Sequence, residues 1–181
     1  MGGQKKIAEL KAELQAAEEH MLPSFILTYE KDERAGVRKL VEQAGKRLKA
    51  LEDERERIEG LKVYERKYEE RGYVCGIDEA GRGPLAGPVV AGAVILPKDC
   101  KILYINDSKK LSEKKREELY DIIMDQAIAT GIGMVGPARI DEINILQATY
   151  EAMREAIQNL SVMPDILLND AVTIPGVSIP Q

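Results

Sequence analysis

Three acidic residues close apolar runs in this chain. Asp78 and Glu79 follow Val74-Cys75-Gly76-Ile77, and Asp170 follows Ile166-Leu167-Leu168-Asn169. A carboxylate at the end of a buried strand offers hard oxygen donors to a divalent cation such as Mg2+ or Mn2+, and several converging there need that neutralisation. Two such ions about 4 Å apart would activate water and stabilise the leaving oxygen of a phosphodiester. Neighbours on a regular strand face opposite sides, so the strand must end or bulge for Asp78 and Glu79 to share one site. The Gly- and Pro-rich stretch that follows, to Pro88, is turn chemistry and permits that. Its backbone N–H groups suit a phosphate. The stretch is no P-loop, because no Gly-Lys-Ser/Thr is present. It is also no dinucleotide fingerprint, because a strand pattern follows the glycines where a helix is required. Taken singly, the Asp-Glu pair reads as a solvated turn and Asp170 as a cap. His20, the single histidine, lies on a charged helix end, and there is no Ser/His or Cys/His nucleophile system.

The elements that must position these residues begin near residue 73. Alternating patterns predict strands over 73–78 and 89–96, with the turn of 79–88 between them. Ser112 is a good N-cap for a helix over 113–127. A third strand spans 128–135, helices follow over 138–144 and 145–160, and a short buried strand covers 165–169. Strand, strand, helix, strand, helices, strand describes an α/β layer with an antiparallel front and a helical crossover. Residues 1–71 read differently. A helix over 4–19, an interruption at Pro23, a short helix near 26–31 and a long helix from residue 32 or 33 to about 60 are expected, with more helix over 61–71. Val37, Leu40, Val41, Ala44, Leu48 and Leu51 form the apolar stripe of the long helix. The expected division is therefore a helical extension over 1–71 and an α/β domain over 72–181. Lys39, Lys46, Arg47 and Lys49 of the extension could meet phosphates, against interspersed glutamates.

Composition narrows the classes. The net charge is −5, and all of that excess lies after residue 71, so no general nucleic-acid affinity follows from charge. No apolar segment is long enough to span a membrane, the N-terminus lacks the apolar core of a signal peptide, and two cysteines make neither a disulfide framework nor a zinc site. A cytoplasmic protein with reduced Cys75 and Cys100 is expected.

The run Asp78-Glu79-Ala80-Gly81-Arg82-Gly83-Pro84-Leu85-Ala86-Gly87-Pro88 resembles the signature of the bacterial ribonuclease HII family. Asn106-Asp107-Ser108-Lys109-Lys110-Leu111-Ser112, Asn144-Ile145-Leu146-Gln147-Ala148 and Leu168-Asn169-Asp170-Ala171-Val172 resemble three further blocks of it. The resemblance covers about 72–181, and 1–71 looks like the helical extension of some members. It implies a ribonuclease H-like mixed sheet with flanking helices. It implies a metal-dependent endonuclease that cuts 5′ to a ribonucleotide, in RNA–DNA hybrids or in DNA duplexes carrying ribonucleotides, leaving 3′-hydroxyl and 5′-phosphate ends. Asp78, Glu79 and Asp170 would then be catalytic metal ligands for Mg2+ or Mn2+. Gly81, Arg82 and Gly83 would read the ribonucleotide 2′-hydroxyl, with Asp107, Ser108 and Lys109 beside them and Lys109 on a phosphate. The family has a fourth acidic ligand and an aromatic residue further on, whereas no acid follows Asp170. A C-terminally incomplete chain with an under-covered sheet is the expectation. Two other readings stand beside the nuclease. One is a catalytically silent fragment that binds hybrid duplex through Arg82, Lys109 and the arm, and the other is a helical adaptor with the α/β part as scaffold.

Overall fold

The computed structural model describes residues 4–83, 86–170 and 172–181. The chain forms two compact units, one up to Arg57 and one from Ile58 onward.

The first unit is helical. Helices α1 (Ile7–Ala16), α2 (Leu22–Tyr29) and the greater part of α3 (Ala35–Leu61) enclose Leu10, Leu14, Leu22, Phe25, Val37, Leu40 and Ala44. Val41, Leu48 and Leu51, the rest of the predicted stripe, pack partly buried against this cluster. Pro23 does not interrupt. It lies in the first turn of α2, where a missing N–H costs nothing and the fixed φ favours a helix. Before α3, the Asp32 carboxylate receives the backbone N–H and the guanidinium of Arg34, which holds its pKa below the ordinary value. That closed turn delays the helix to Ala35.

The second unit carries α4 (Val63–Tyr68), β1 (Val74–Ala80), β2 (Val89–Ile95), α5 (Glu113–Gln126), β3 (Ala129–Val135), α6 (Pro137–Gln158) and β4 (Ile166–Asn169). The sheet order is β3-β2-β1-β4, with β1 antiparallel to β2, β2 antiparallel to β3, and β1 parallel to β4. Cys75, Ile77, Ala91, Ala93, Ile95, Leu167 and their neighbours bury one sheet face under α6. The other face carries exposed Gly76, Asp78, Gly92, Ile132 and Met134.

Helix α6 sits very close to β3. A Cβ on Gly133 would come within 2.0 Å of the Ala152 carbonyl oxygen, and one on Gly131 within 2.1 Å of that of Ala156. The small residues Ala148, Ala152 and Ala156 give the helix its matching face. From that position α6 also covers the outer edge of β3. Glu155 accepts from the Met134 N–H at 2.9 Å, and the Asn159 amide donates to the Ile132 carbonyl at 2.8 Å. Backbone groups that could pair with another strand are thereby occupied. On the far edge, the Leu167 N–H of β4 donates to the Pro180 carbonyl.

Helix α6 breaks at Asn144, whose φ is 67° and ψ 163°. The Asn144 side-chain oxygen accepts from the N–H groups of Leu146 and Gln147, so it caps a fresh helix. This is the boundary predicted between 138–144 and 145–160.

Candidate active site

Asp78 and Glu79 lie inside a regular strand. The register Asp78↔Gly92, Glu79↔Ala91, Ala80↔Val90 runs unbroken, so β1 continues two residues past the expected end at 78. Side-chain alternation then places Asp78 on the exposed face with Gly76, and Glu79 on the α6 side with Ile77. The expected strand end or bulge between the two carboxylates is absent, because β2 supplies pairing partners through Val90. Each carboxylate has a local partner. An Asp78 oxygen accepts the Glu79 N–H at 2.8 Å, and Glu79 accepts from the Arg82 guanidinium at 3.0 Å.

Parallel pairing brings the chain segments of Asp78 and Asp170 near each other. The β1–β4 register ends at Ile77↔Asn169, after which β1 continues with Asp78 on the open face and β4 gives way to a bend at Asp170, both residues exposed. In kind, carboxylate oxygens are the donors a hard divalent cation takes. Among the described residues, no three His, Cys, Asp or Glu side chains stand close enough to hold a metal ion. Glu79 is turned to the other face and tied to Arg82.

The loop after β1 bends at Gly81, with φ +94°. A Cβ there would meet the Pro88 carbonyl oxygen at 2.4 Å, so this position requires glycine. Arg82 and Gly83 are exposed, while Pro84 and Leu85 lie outside the described residues.

Asp107, Ser108 and Lys109 form one capped turn. Asp107 accepts the Lys109 N–H at 2.9 Å and opens a 3-10 turn over Ser108–Lys110. Arg116 of α5 donates to the carbonyls of Ser108 and Leu111, at 3.3 and 2.8 Å, and so holds both ends of that turn. Sequence reasoning passed over Arg116. The signal available was a cation in the first turn of a helix, where the dipole disfavours one unless it serves another contact. At the end of β4, the Asn169 amide donates to Val172 and Gln181, while its buried side-chain oxygen has no partner among the described residues. A cavity of about 660 Å³ on the open sheet face, lined by Ile58, Leu61, Val74, Val94, Leu96 and Ile102, lies toward the start of β1 and not at its carboxylate end.

The family model described as ribonuclease HII matches residues 75–179, and that of the ribonuclease HII N-terminal domain matches residues 6–69. This chain belongs to the ribonuclease HII family. The ribonuclease HII of Lachnoclostridium phytofermentans is 60% identical over 176 residues, covering 97% of this chain and 69% of that protein. The ribonuclease HII of Clostridioides difficile is 47% identical over 179 residues, covering 98% and 70%. Among solved structures, the ribonuclease H2 of Pyrococcus horikoshii OT3 is 29% identical with a TM-score of 0.47, covering 56% of this chain and 52% of that one. Membership makes the chain a type 2 ribonuclease H, and the mixed four-stranded sheet with flanking helices and a helical N-terminal part accords with the fold read from its sequence. No helix among the described residues is long and apolar enough to cross a membrane.

Proposed function

We propose that this chain is built to hydrolyse the phosphodiester 5′ to a ribonucleotide in RNA–DNA hybrids or in DNA duplexes with embedded ribonucleotides, leaving 3′-hydroxyl and 5′-phosphate ends. The single observation that carries the reading is the match to the ribonuclease HII family over residues 75–179; a β1–β4 register that ends at Ile77↔Asn169, one residue before Asp78 and Asp170, is in keeping with it. Asp78, Glu79 and Asp170 would hold Mg2+ or Mn2+, one ion or two. When bound, such a metal supplies an activated water and charge neutralisation for phosphodiester hydrolysis.

The chain's own residues supply recognition. Gly81 lets the backbone approach a sugar closely, and Gly81, Arg82 and Gly83 would read the 2′-hydroxyl, the local mark that separates RNA from DNA. Arg82 presents a planar fork of donors suited to phosphate oxygens. Asp107 and Ser108 shape the turn that carries Lys109, and Lys109 would take a phosphate. Residues 1–71 would serve as the helical extension and 72–181 as the catalytic domain. A cytoplasmic setting suits two free cysteines.

The test is cleavage of a labelled DNA duplex containing one ribonucleotide, with Mg2+ or Mn2+ and an EDTA control. Metal-dependent cutting on the 5′ side is expected, and Asp78→Ala should lower it by at least about 100-fold, the scale of losing a group that stabilises transition-state charge, with an unchanged circular dichroism spectrum. Full activity in Asp78→Ala would sink the assignment. A second reading, a chain that binds hybrid duplex without cutting it, is favoured by the lack of a three-ligand cluster among the described residues. Retained duplex affinity with no cleavage at any metal concentration would select it.

A further inference from the structure

The turn that carries Lys109 is placed by polar contacts rather than by packing. Residues from Asn106 to Lys110 are exposed and Leu111 is half-buried, so no buried side chain anchors the turn. The Asn106 side-chain oxygen accepts the Asp107 N–H, and the Asp107 carboxylate accepts the Lys109 N–H. The N–H groups of Lys110 and Leu111 donate to the carbonyls of Asp107 and Ser108. These bonds set the shape of the turn. They cannot set where it stands on α5, because both partners of each bond move together. The two bonds from Arg116 do set it. A single guanidinium nitrogen, Nη1, donates to the Ser108 carbonyl at 3.3 Å and to the Leu111 carbonyl at 2.8 Å. Arg116 is the fourth residue of α5, where the helix dipole disfavours a cation, and its contacts with the two carbonyls offset that cost.

We propose that Arg116 is a positioning residue for duplex binding. By tying both ends of the Ser108–Leu111 turn to α5, it holds Lys109 where a phosphate of the duplex backbone meets it. This rests on the reading of Lys109 as a phosphate contact. Arg116 acts through the turn and makes no contact with the duplex. Without it the turn keeps its internal hydrogen bonds but takes several placements, and the duplex binds only the fraction that presents Lys109 correctly. The loss in affinity is then about three- to tenfold, the scale of one net hydrogen-bonded contact. It cannot exceed the loss caused by removing the Lys109 side chain.

The experiment measures affinity of the full chain for a DNA duplex carrying one ribonucleotide, by fluorescence anisotropy over a range of salt, in EDTA so that nothing is cut. The variants are Arg116→Gln, Arg116→Lys, Lys109→Ala and the Lys109→Ala/Arg116→Gln pair, each checked by circular dichroism. Arg116→Gln should bind about three- to tenfold more weakly than the parent. Arg116→Lys, whose ammonium can still donate to both carbonyls, should restore most of the loss. In the Lys109→Ala background, Arg116→Gln should change neither affinity nor salt slope, because the contact it serves is already gone. Amide hydrogen exchange of the unbound protein gives a second readout. Arg116→Gln should speed exchange at the Leu111 N–H and leave the Ala127 N–H, at the far end of α5, unchanged. If the two substitutions instead add, with a further slope change of about 0.9, Arg116 is itself a phosphate contact and the positioning role is overturned. An Arg116→Gln variant with parental affinity, or parental exchange at Leu111, overturns it as well. If Lys109→Ala binds like the parent, the reading of Lys109 falls and the proposal with it. A parent chain without duplex affinity would sink the proposed function itself.

Discussion

Two neighbouring residues of β1 show how much one strand position decides. Asp78 faces the open side and Glu79 the α6 side, next to Ile77, because pairing with β2 persists to Ala80. Cys75 lies on that same inner face, fully buried, and burial pushes its thiol from 9.0 up to about 11. It is therefore a small core residue and no nucleophile at neutral pH. The folded chain keeps this proton where the unfolded chain gives it up. The Cys75 contribution to stability is thus complete below pH 9.0 and declines as the pH rises toward 11. A tenfold change in proton affinity is worth about 1.4 kcal/mol, so the loss is at most about 3 kcal/mol. Urea unfolding across this window should show the parent losing stability faster than Cys75→Ala. Parallel curves would mean that the thiol titrates alike in both states. The difference between the curves removes the tyrosines and lysines common to both proteins.

Helix α6 is the element on which the sheet depends. Its Ala148-Ala152-Ala156 face meets Gly131 and Gly133 of β3 at backbone distance, and its Glu155 and Asn159 occupy that strand's outer edge. Adding one methyl group at Gly133 sets a Cβ against the Ala152 carbonyl, which belongs to the helix backbone and cannot rotate away. Gly133→Ala should therefore cost about 1–3 kcal/mol, the range for overpacking a close-packed contact, seen as a lower urea midpoint with an unchanged slope. A neutral result would show that α6 can shift away from β3. Arg139, before the break at Asn144, bonds Glu142 on its own side and Glu151 beyond it, so the bend is held by an ion-pair bridge as well as by the Asn144 cap.

At the scale of the molecule, charge sets the terms of nucleic-acid binding. A chain of net charge −5 has no broad electrostatic footprint for a duplex, so affinity must rest on a few placed cations. Under the proposed function Arg82 and Lys109, both exposed, would be two such groups. The logarithm of the duplex association constant should fall with the logarithm of salt concentration with a slope of about −2, near −0.9 for each phosphate neutralised. Lys109→Ala should bring that slope up by about one unit. A slope beyond about −6 would reveal a contact surface much wider than these two groups, with the cations of the helical unit as its first candidates.

The amino-acid sequence by itself determined the parts that depend on local pattern. Alternation marked β1, β2 and β3, the Ser112 cap started α5, Asn144 divided α6, and the stripe from Val37 to Leu51 marked the core of the helical unit, because periodicity and capping are written in consecutive residues. The Asp78–Pro88 run identified the family for the same reason. What only the tertiary structure decided depends on partners far apart in the chain. The strand expected to end at 78 runs on to 80, and that was decided by β2, whose Gly92, Ala91 and Val90 pair with Asp78, Glu79 and Ala80. That Asn169 lies beside Ile77, with Asp170 and Asp78 the residues that follow, comes from parallel pairing of β1 with β4, a contact across about ninety residues that no local pattern encodes. The Arg82–Glu79 pair and the hold of Arg116 on the Ser108–Leu111 turn join near neighbours in the chain, yet they too were settled only by the structure, since long flexible cations take whichever oxygen the folded backbone brings within reach.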